Sequence, residues 1–491
     1  MNDLQKPPDI DPVLSSGAKK LRKKKLSNLP WSHSGKHPGS ATFWYVILLM
    51  ISIAWKYIFR RKQIEPLPDY AGGRILTSTH INGLVDPLVL SYCQDRRVIS
   101  MGRHDIMTMP LIGWFSRRMG SQPVIRRPEI AGGVADKEYA QLINHRTLLT
   151  MTNCIASGHN AVVMPEGKSH QDARLHKLKT GTLRFAINAS AIAHEKEIPP
   201  PALQPVGLHY RCHHWFRTDL FVEFPKPIPV PHPEDLEIGR MLVQGEWVEP
   251  PASQVNTLTS DLFERLSQIT PDAPDWETYR GWLLIGHILQ DSRDKQLSSY
   301  RDEVLAAREV RALASSGQIS QEDVDKASQA AQILHSHELD GRHLFQEGES
   351  SLTNWSRLII GTIIVLATAP ISLFSTGIQA SIAWYFCDRT DEGVDARTTF
   401  HMLAAMFSPV IFWPPIALAS SLTILGLSPY AIPLAIGMMI SFHICNVIFL
   451  FGYDQISDFL VYRRRSRLFR TNDSTNLLKL VSEIRANLNF L

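Results

Sequence analysis

The sequence predicts a mixed α/β domain (a mixed sheet flanked by helices) held at a membrane by an N-terminal helix and a C-terminal hydrophobic region, with a helical connector between. Three observations predict it. From Arg74 to about Val230, short apolar runs alternate with longer amphipathic segments, the pattern of strands interleaved with helices. Beyond Leu358 come apolar runs too long and too free of charge for buried soluble helices. Polar clusters suited to chemistry fall at the ends of several predicted strands, where α/β folds place their sites.

The chain has 491 residues and a formal charge of +4, too mild for a nucleic-acid partner. It is also too long for one compact core, so a main domain with additions is expected. The five cysteines, Cys93, Cys154, Cys212, Cys387 and Cys445, show neither metal-ligand spacing nor a disulfide framework.

In chain order, residues 1–41 form a polar, basic segment with Lys19, Lys20 and Arg22 to Lys25, then loop residues. No apolar run precedes Phe43, so a cleavable signal peptide is not expected. Residues 42–62 hold a membrane-associated helix, Phe43 to Phe59, closed by Arg60-Arg61-Lys62. Its Trp44, Tyr45, Trp55 and Tyr57 suit a membrane interface.

The α/β domain occupies 63–240. Strands are predicted at 74–79, 97–101, 122–126, 161–164, 203–208 and 220–224. Helices are predicted from Gly83 onward, over 106–119 with an interruption near Pro110 and Gly113, over 139–157 and over 182–193. The extension 241–350 is helical, with Ser320 and Asp323 forming a capping pattern. Residues 351–462 carry apolar runs at 358–387, 402–427 and 430–451, and 463–491 is a basic tail.

Three clusters carry chemistry. His80 follows the first strand of the domain, and Asp86 lies at the start of the next helix. Imidazole with a carboxylate behind it is a general-base unit. Arg126, beside Arg127, offers a guanidinium fork matched to phosphate. Glu166-Gly167-Lys168-Ser169 joins a carboxylate to a tight turn that can hold a polyol hydroxyl, while Lys168 or Lys179 faces its phosphate. Each cluster alone also reads as a capped helix or a solvated loop; their convergence is what favours a site.

These blocks resemble those of the glycerolipid acyltransferases. His80 to Asp86 is similar to the first block, Gly120 to Arg126 to the second, and Met164 to Ser169, with Lys179-Thr180-Gly181 behind it, to the third. Pro205-Val206-Gly207-Leu208 is similar to the fourth. The second and third blocks, the hydrophobic C-terminal region and Asp275 to Tyr279 most resemble the fungal-type glycerol-3-phosphate acyltransferases. The resemblance covers about residues 70 to 285. It implies acyl transfer from acyl-CoA or acyl carrier protein to glycerol-3-phosphate, or alternatively to lysophosphatidate or another lysophospholipid. It implies His80 and Asp86 as the catalytic pair, Arg126, Glu166, Gly167, Lys168, Ser169 and Lys179 at the acceptor, and no metal or other cofactor. One departure from the family pattern is the spacing. Five residues separate His80 from Asp86 where four are usual, and an Asn82-Gly83 turn can absorb the extra one. A non-catalytic lipid-binding or scaffold protein is the rival from another class.

The catalytic domain and the basic tail are expected on the cytoplasmic side. That needs an even number of crossings among three apolar blocks. Pro370 is expected to break the first block into a re-entrant hairpin, with the next two blocks crossing as an antiparallel pair. The acidic loop Asp388 to Asp395 does not decide orientation.

Overall fold

Nine strands in two sheets position everything that follows among the residues that the computed structural model describes, which are 7–9, 11, 14–29, 31, 33–345, 350–387, 389 and 397–488. In chain order they are β1 (Phe59–Ile64), β2 (Arg74–Thr77), β3 (Val98–Arg103), β4 (Gln122–Val124), β5 (Asn160–Val163), β6 (Ala202–Pro205), β7 (Gly207–Tyr210), β8 (Thr218–Glu223) and β9 (Ile228–Pro229). The larger sheet runs β4-β3-β5-β2-β6-β9 and the smaller β1-β8-β7. β2 to β6 pair in parallel and only β9 is antiparallel in that sheet, so the carboxyl ends of five strands share one edge.

Both faces of the larger sheet are covered, which is why β2 and β5 are buried at every position. One face packs on helices Lys137–Ala156, Gly181–Glu195 and Ala252–Ile269 through residues such as Leu149, Phe185 and Leu262. The other packs on Ala41–Ile58, Val85–Tyr92 and Arg397–Phe407 through Ile47, Val89 and Met406. A separate core joins the helical extension to the C-terminal helix Asn472–Leu488, with Ile285 and Leu334 against Leu477 and Ile484.

Among the described residues four helices are long and apolar enough to cross a membrane: Ala41–Ile58, Ser351–Cys387, Arg397–Leu425 (interrupted by a π-helical turn at Ser408–Phe412) and Ala431–Leu468. The structure changes the expected reading of these regions at several points. Helix Ala41–Ile58 runs directly into β1, a strand the sequence did not suggest, because its charged residues suggested a membrane flank. The two arginines are paired instead: Arg60 donates to Asp458 at 2.8 and 2.7 Å, and Arg61 to Asp219 at 3.2 Å. Trp44, Trp55 and Tyr57 are buried against the domain and the C-terminal helices, not at an interface, and Tyr45 alone of the four is exposed.

Pro370 does not break the first apolar block. Ser351–Cys387 is one 37-residue helix with Pro370 inside it. Proline removes one hydrogen bond of the ladder, and helix Ala431–Leu468 splints the turn from both sides. Before the proline, Gly361 and Gly452 touch so closely that a Cβ on Gly452 would lie 2.9 Å from the Gly361 carbonyl oxygen. After it, Asn446 Nδ2 donates to Ser375 Oγ at 3.1 Å. The basic tail is likewise structured: helix Ala431–Leu468 continues through Arg463 to Arg465, and Asn472–Leu488 forms a second helix. The acidic loop 388–395, Arg389 excepted, lies outside the described residues. The predicted strand 203–208 is two strands, divided at Val206 where the chain leaves the larger sheet for the smaller.

Candidate active site

β2 ends at Thr77 and the chain reaches His80 three residues later. The Asn82 carbonyl accepts from the amides of Val85 and Asp86 at 2.9 and 3.2 Å, and Gly83 turns the chain at φ +34, a conformation that L side chains rarely adopt. This turn absorbs the longer spacing and brings Asp86 back over His80. Asp86 is fully buried, and Oδ2 accepts from His80 Nδ1 at 3.0 Å and from the amides of Ile81 and Asn82 at 2.9 and 2.8 Å. Oδ1 accepts from the Tyr210 hydroxyl at 2.7 Å. A carboxylate facing Nδ1 needs a proton there, which leaves the Nε2 lone pair as the base.

Glu166 locks the same loop from the other side. Its Oε2 accepts from the His80 amide at 3.0 Å, while Oε1 accepts from the His176 amide at 2.8 Å and from His170 Nε2 at 3.0 Å. The His170 amide in turn donates to the His80 carbonyl at 3.0 Å. Glu166 is buried, with both oxygens held by protein donors, a geometry that positions His80. Gly167 sits at φ +75 on the exposed tip of the turn, with Lys168 and Ser169 half-buried after it. Burial lowers the Lys168 ammonium below the usual lysine range, against the pull of Asp172 and Glu166.

Lys179 is fastened beside this turn by its amide, which donates to the Pro165 carbonyl at 2.7 Å. Its ammonium donates to Asp9 Oδ1 at 2.7 Å, and Lys177 reaches the other oxygen of Asp9 at 3.0 Å. Lys179 first, then Lys177, holds the Asp9 carboxyl down at about 2. Arg126 follows β4 and caps the short helix Arg127–Ala131. Its amide donates to Glu129 Oε2 at 2.7 Å, and its Nε and Nη2 donate to Oε1 at 2.8 and 2.6 Å. Glu129 thus takes part of the fork and leaves Nη1. β4 and β2 are three strand spacings apart in the parallel sheet, roughly 14 Å, with His80 and Arg126 both following carboxyl ends of its strands.

The sequence reading missed Tyr210. Its signal was the strand period: Leu208 and Tyr210 share a face, and Tyr210 lies just past the fourth block. Burial, then the neighbouring Asp86, raises its hydroxyl well above the usual range, so it remains a donor. His170, Asp172 and His176 bring metal-ligand atoms within 4.8 Å of one another, but Nε2 of each histidine is already bound to a carboxylate.

Residues 59–208, from the start of β1 into β7, match the family model described as Acyltransferase. The match takes in the strand-end blocks of the α/β domain, so these residues carry an acyltransferase domain, in keeping with the family that the blocks resemble. Among solved structures the chain is similar to the 1-acyl-sn-glycerophosphate (LPA) acyltransferase PlsC from Thermotoga maritima. The identity is 13%, the match covers 45% of this chain and 78% of that one, and the TM-score is 0.29, a likeness that adds nothing to the family match. A search of curated proteins found no match.

Proposed function

We propose that this chain is a membrane-bound O-acyltransferase that moves a fatty acyl group from acyl-CoA, or acyl carrier protein, to glycerol-3-phosphate in phospholipid biosynthesis. The observation that carries the reading is the dyad: His80 Nδ1 3.0 Å from a buried Asp86, with Nε2 left for substrate. His80 Nε2 takes the proton of a glycerol hydroxyl as its oxygen attacks the thioester carbonyl carbon, and Asp86 steadies the imidazolium. The tetrahedral intermediate collapses with cleavage of the C–S bond, and the imidazolium returns the proton to the departing thiolate. No covalent enzyme intermediate, metal or further cofactor enters these steps.

Arg126 and Lys179, with Lys168 beside them, are assigned to the acceptor phosphate. In support, the Lys179 ammonium already holds an anion, the Asp9 carboxylate. Glu166 is assigned to positioning His80, and Gly167 and Ser169 to the turn that borders the acceptor. The domain is assigned to the cytoplasmic side, an assignment that the excess of Lys and Arg near the membrane supports.

The test is acyl-CoA consumption by membranes holding the full chain, with glycerol-3-phosphate, dihydroxyacetone phosphate and lysophosphatidate offered separately. Turnover above the no-acceptor rate with glycerol-3-phosphate supports the reading. Turnover with lysophosphatidate alone moves the chemistry to the lysophospholipid alternative. No turnover with any acceptor, in protein that is present and folded, favours a lipid-binding scaffold.

A further inference from the structure

The C-terminal hydrophobic region was expected to hold the α/β domain at the membrane. In the structure one of its helices touches the loop that carries the dyad. Helix Arg397–Phe407 begins against residues 82–84: the Thr398 hydroxyl donates to the Asn82 side-chain oxygen, and the Leu84 amide donates to Thr399 Oγ1 at 3.0 Å. Asn82 is 1% exposed and Thr398 2%. The other end of the Asn82 carboxamide donates to the His213 carbonyl at 2.8 Å, so one side chain ties the dyad loop to both the β7–β8 connection and the C-terminal helix.

The packing behind these bonds is apolar and extensive. Met402, Met406 and Phe407 lie in the same core as Val85, Leu88 and Val89 of the helix that carries Asp86, and the Phe407 ring is 4.8 Å from Phe115. The helix is therefore pressed onto the site by one core while its first turn makes two polar bonds to the loop. Asn82 also supplies the amide that donates to Asp86 and the carbonyl that starts the helix bearing Asp86. A shift of Asn82 moves both halves of the dyad, and misplacement on the order of 1 Å can cost about 100-fold in rate.

We infer that Thr398 and Thr399 are positioning residues of the active site, so that the C-terminal membrane region completes the catalytic unit by clamping the His80–Asp86 loop through Asn82 and Leu84. The consequence for kcat rests on the acyltransferase reading; the clamp itself does not. Thr398→Val keeps the shape and removes the hydroxyl, leaving the buried Asn82 oxygen without that donor, whereas Thr398→Ser keeps the hydroxyl.

Two measurements on the full chain in membranes or nanodiscs test this. With glycerol-3-phosphate and acyl-CoA, Thr398→Val should lower kcat about tenfold per folded molecule, with both KM values within about twofold of wild type, and Thr398→Ser should retain most of kcat. Hydrogen exchange of the peptide spanning residues 78–86 should quicken several-fold in Thr398→Val and in Thr399→Val, and stay as in wild type in Thr398→Ser. Wild-type kcat and exchange in Thr398→Val would overturn the inference, as would equal losses in the Val and Ser variants. If the wild-type chain transfers no acyl group, the functional reading fails, while the exchange experiment still decides the clamp.

Discussion

Replacing Asp86 with asparagine separates the charge of the dyad from its geometry. Oδ2 faces three N–H donors (His80 Nδ1 and the amides of Ile81 and Asn82), and Oδ1 faces the Tyr210 hydroxyl. A carboxamide in this position has one orientation that preserves the network. Its oxygen takes the place of Oδ2, and its NH2 group takes that of Oδ1, with the Tyr210 hydroxyl rotated to accept. The reverse orientation would press NH2 against three donors. His80 therefore keeps its tautomer, with Nε2 as the acceptor, and only the negative charge beside the imidazole is lost. Hydrogen bonds to charged groups contribute about 1.5–3 kcal/mol and neutral ones about 0.5–1.5 kcal/mol. The difference, on the order of 1–2 kcal/mol, corresponds to about 5- to 30-fold in rate. His80→Ala removes the base itself and should cost about 10²–10⁴-fold. The assay is the initial rate of CoA thiol release with saturating glycerol-3-phosphate in membranes, normalised to full-length protein. A loss in Asp86→Asn as deep as that in His80→Ala, at equal protein level, would refute the tautomer reasoning. An unchanged rate would show that the charge plays no part.

Tyr210→Phe deletes one of four donors to a buried carboxylate, and should lower stability by about 1.5–3 kcal/mol, read as a drop in Tm of the detergent-solubilised chain, with kcat falling more than either KM changes; an unaltered Tm would remove Tyr210 from the account. Gly452→Leu should sharply reduce the yield of folded protein, because even a Cβ there lies 2.8 Å from Ile364 and 2.9 Å from the Gly361 carbonyl oxygen, whereas Gly437→Leu, with nothing within 4 Å, should express as wild type. Equal yields of the two would mean that the helix crossing does not depend on close packing.

Where local pattern and tertiary role coincide, the fold was readable from the residues. The apolar runs ending at Thr77 and Val163 are short, bounded by turns and buried on both faces, so β2 and β5 fall almost where periodicity put them. The helix break at Pro110 and Gly113 and the cap at Ser320 are local chemistry and were legible for that reason. β1 was not legible: Phe59-Arg60-Arg61-Lys62 has no alternation to mark a strand, and only partners such as Asp219 and Asp458, far along the chain, explain its charges. The candidate site divides along the same line. His80 and Asp86 are six positions apart and their pairing follows from a local turn. Tyr210 and the Thr398 contact with Asn82 are products of sheet order and helix docking. Both join residues more than a hundred positions apart, a relation that spacing along one chain does not encode.

Contacts also bear on how the chain crosses the bilayer. The C-terminal helix Asn472–Leu488 shares a core with the helical extension, and Arg485 is paired with Asp291, so tail and extension lie on one side. Helix Ser351–Cys387 is about 55 Å long, enough to span a hydrocarbon core of about 30 Å. Its two ends nevertheless rest on segments bound to the catalytic domain. Near its start the Trp355 ring packs 4.9 Å from Phe459, next to Asp458, which is paired with Arg60. Near its end the Phe386 ring lies 6.2 Å from Phe400, two residues beyond the Thr398 that meets Asn82. We propose from these contacts that the helix makes no net crossing, as expected from the sequence, but as one continuous helix in place of the hairpin expected at Pro370. In this proposed arrangement the two crossings fall to the segment leading through Trp413–Leu425 and to the start of Ala431–Leu468, joined by a turn whose Leu427 is 98% exposed. In a cysteine-free background, Arg389→Cys and Ser466→Cys should therefore react with an impermeant maleimide only from the face that carries the catalytic domain, and Ser428→Cys only from the opposite face. Labelling of position 389 from the same face as position 428 would mean that Ser351–Cys387 crosses the bilayer, and would refute the two-crossing arrangement.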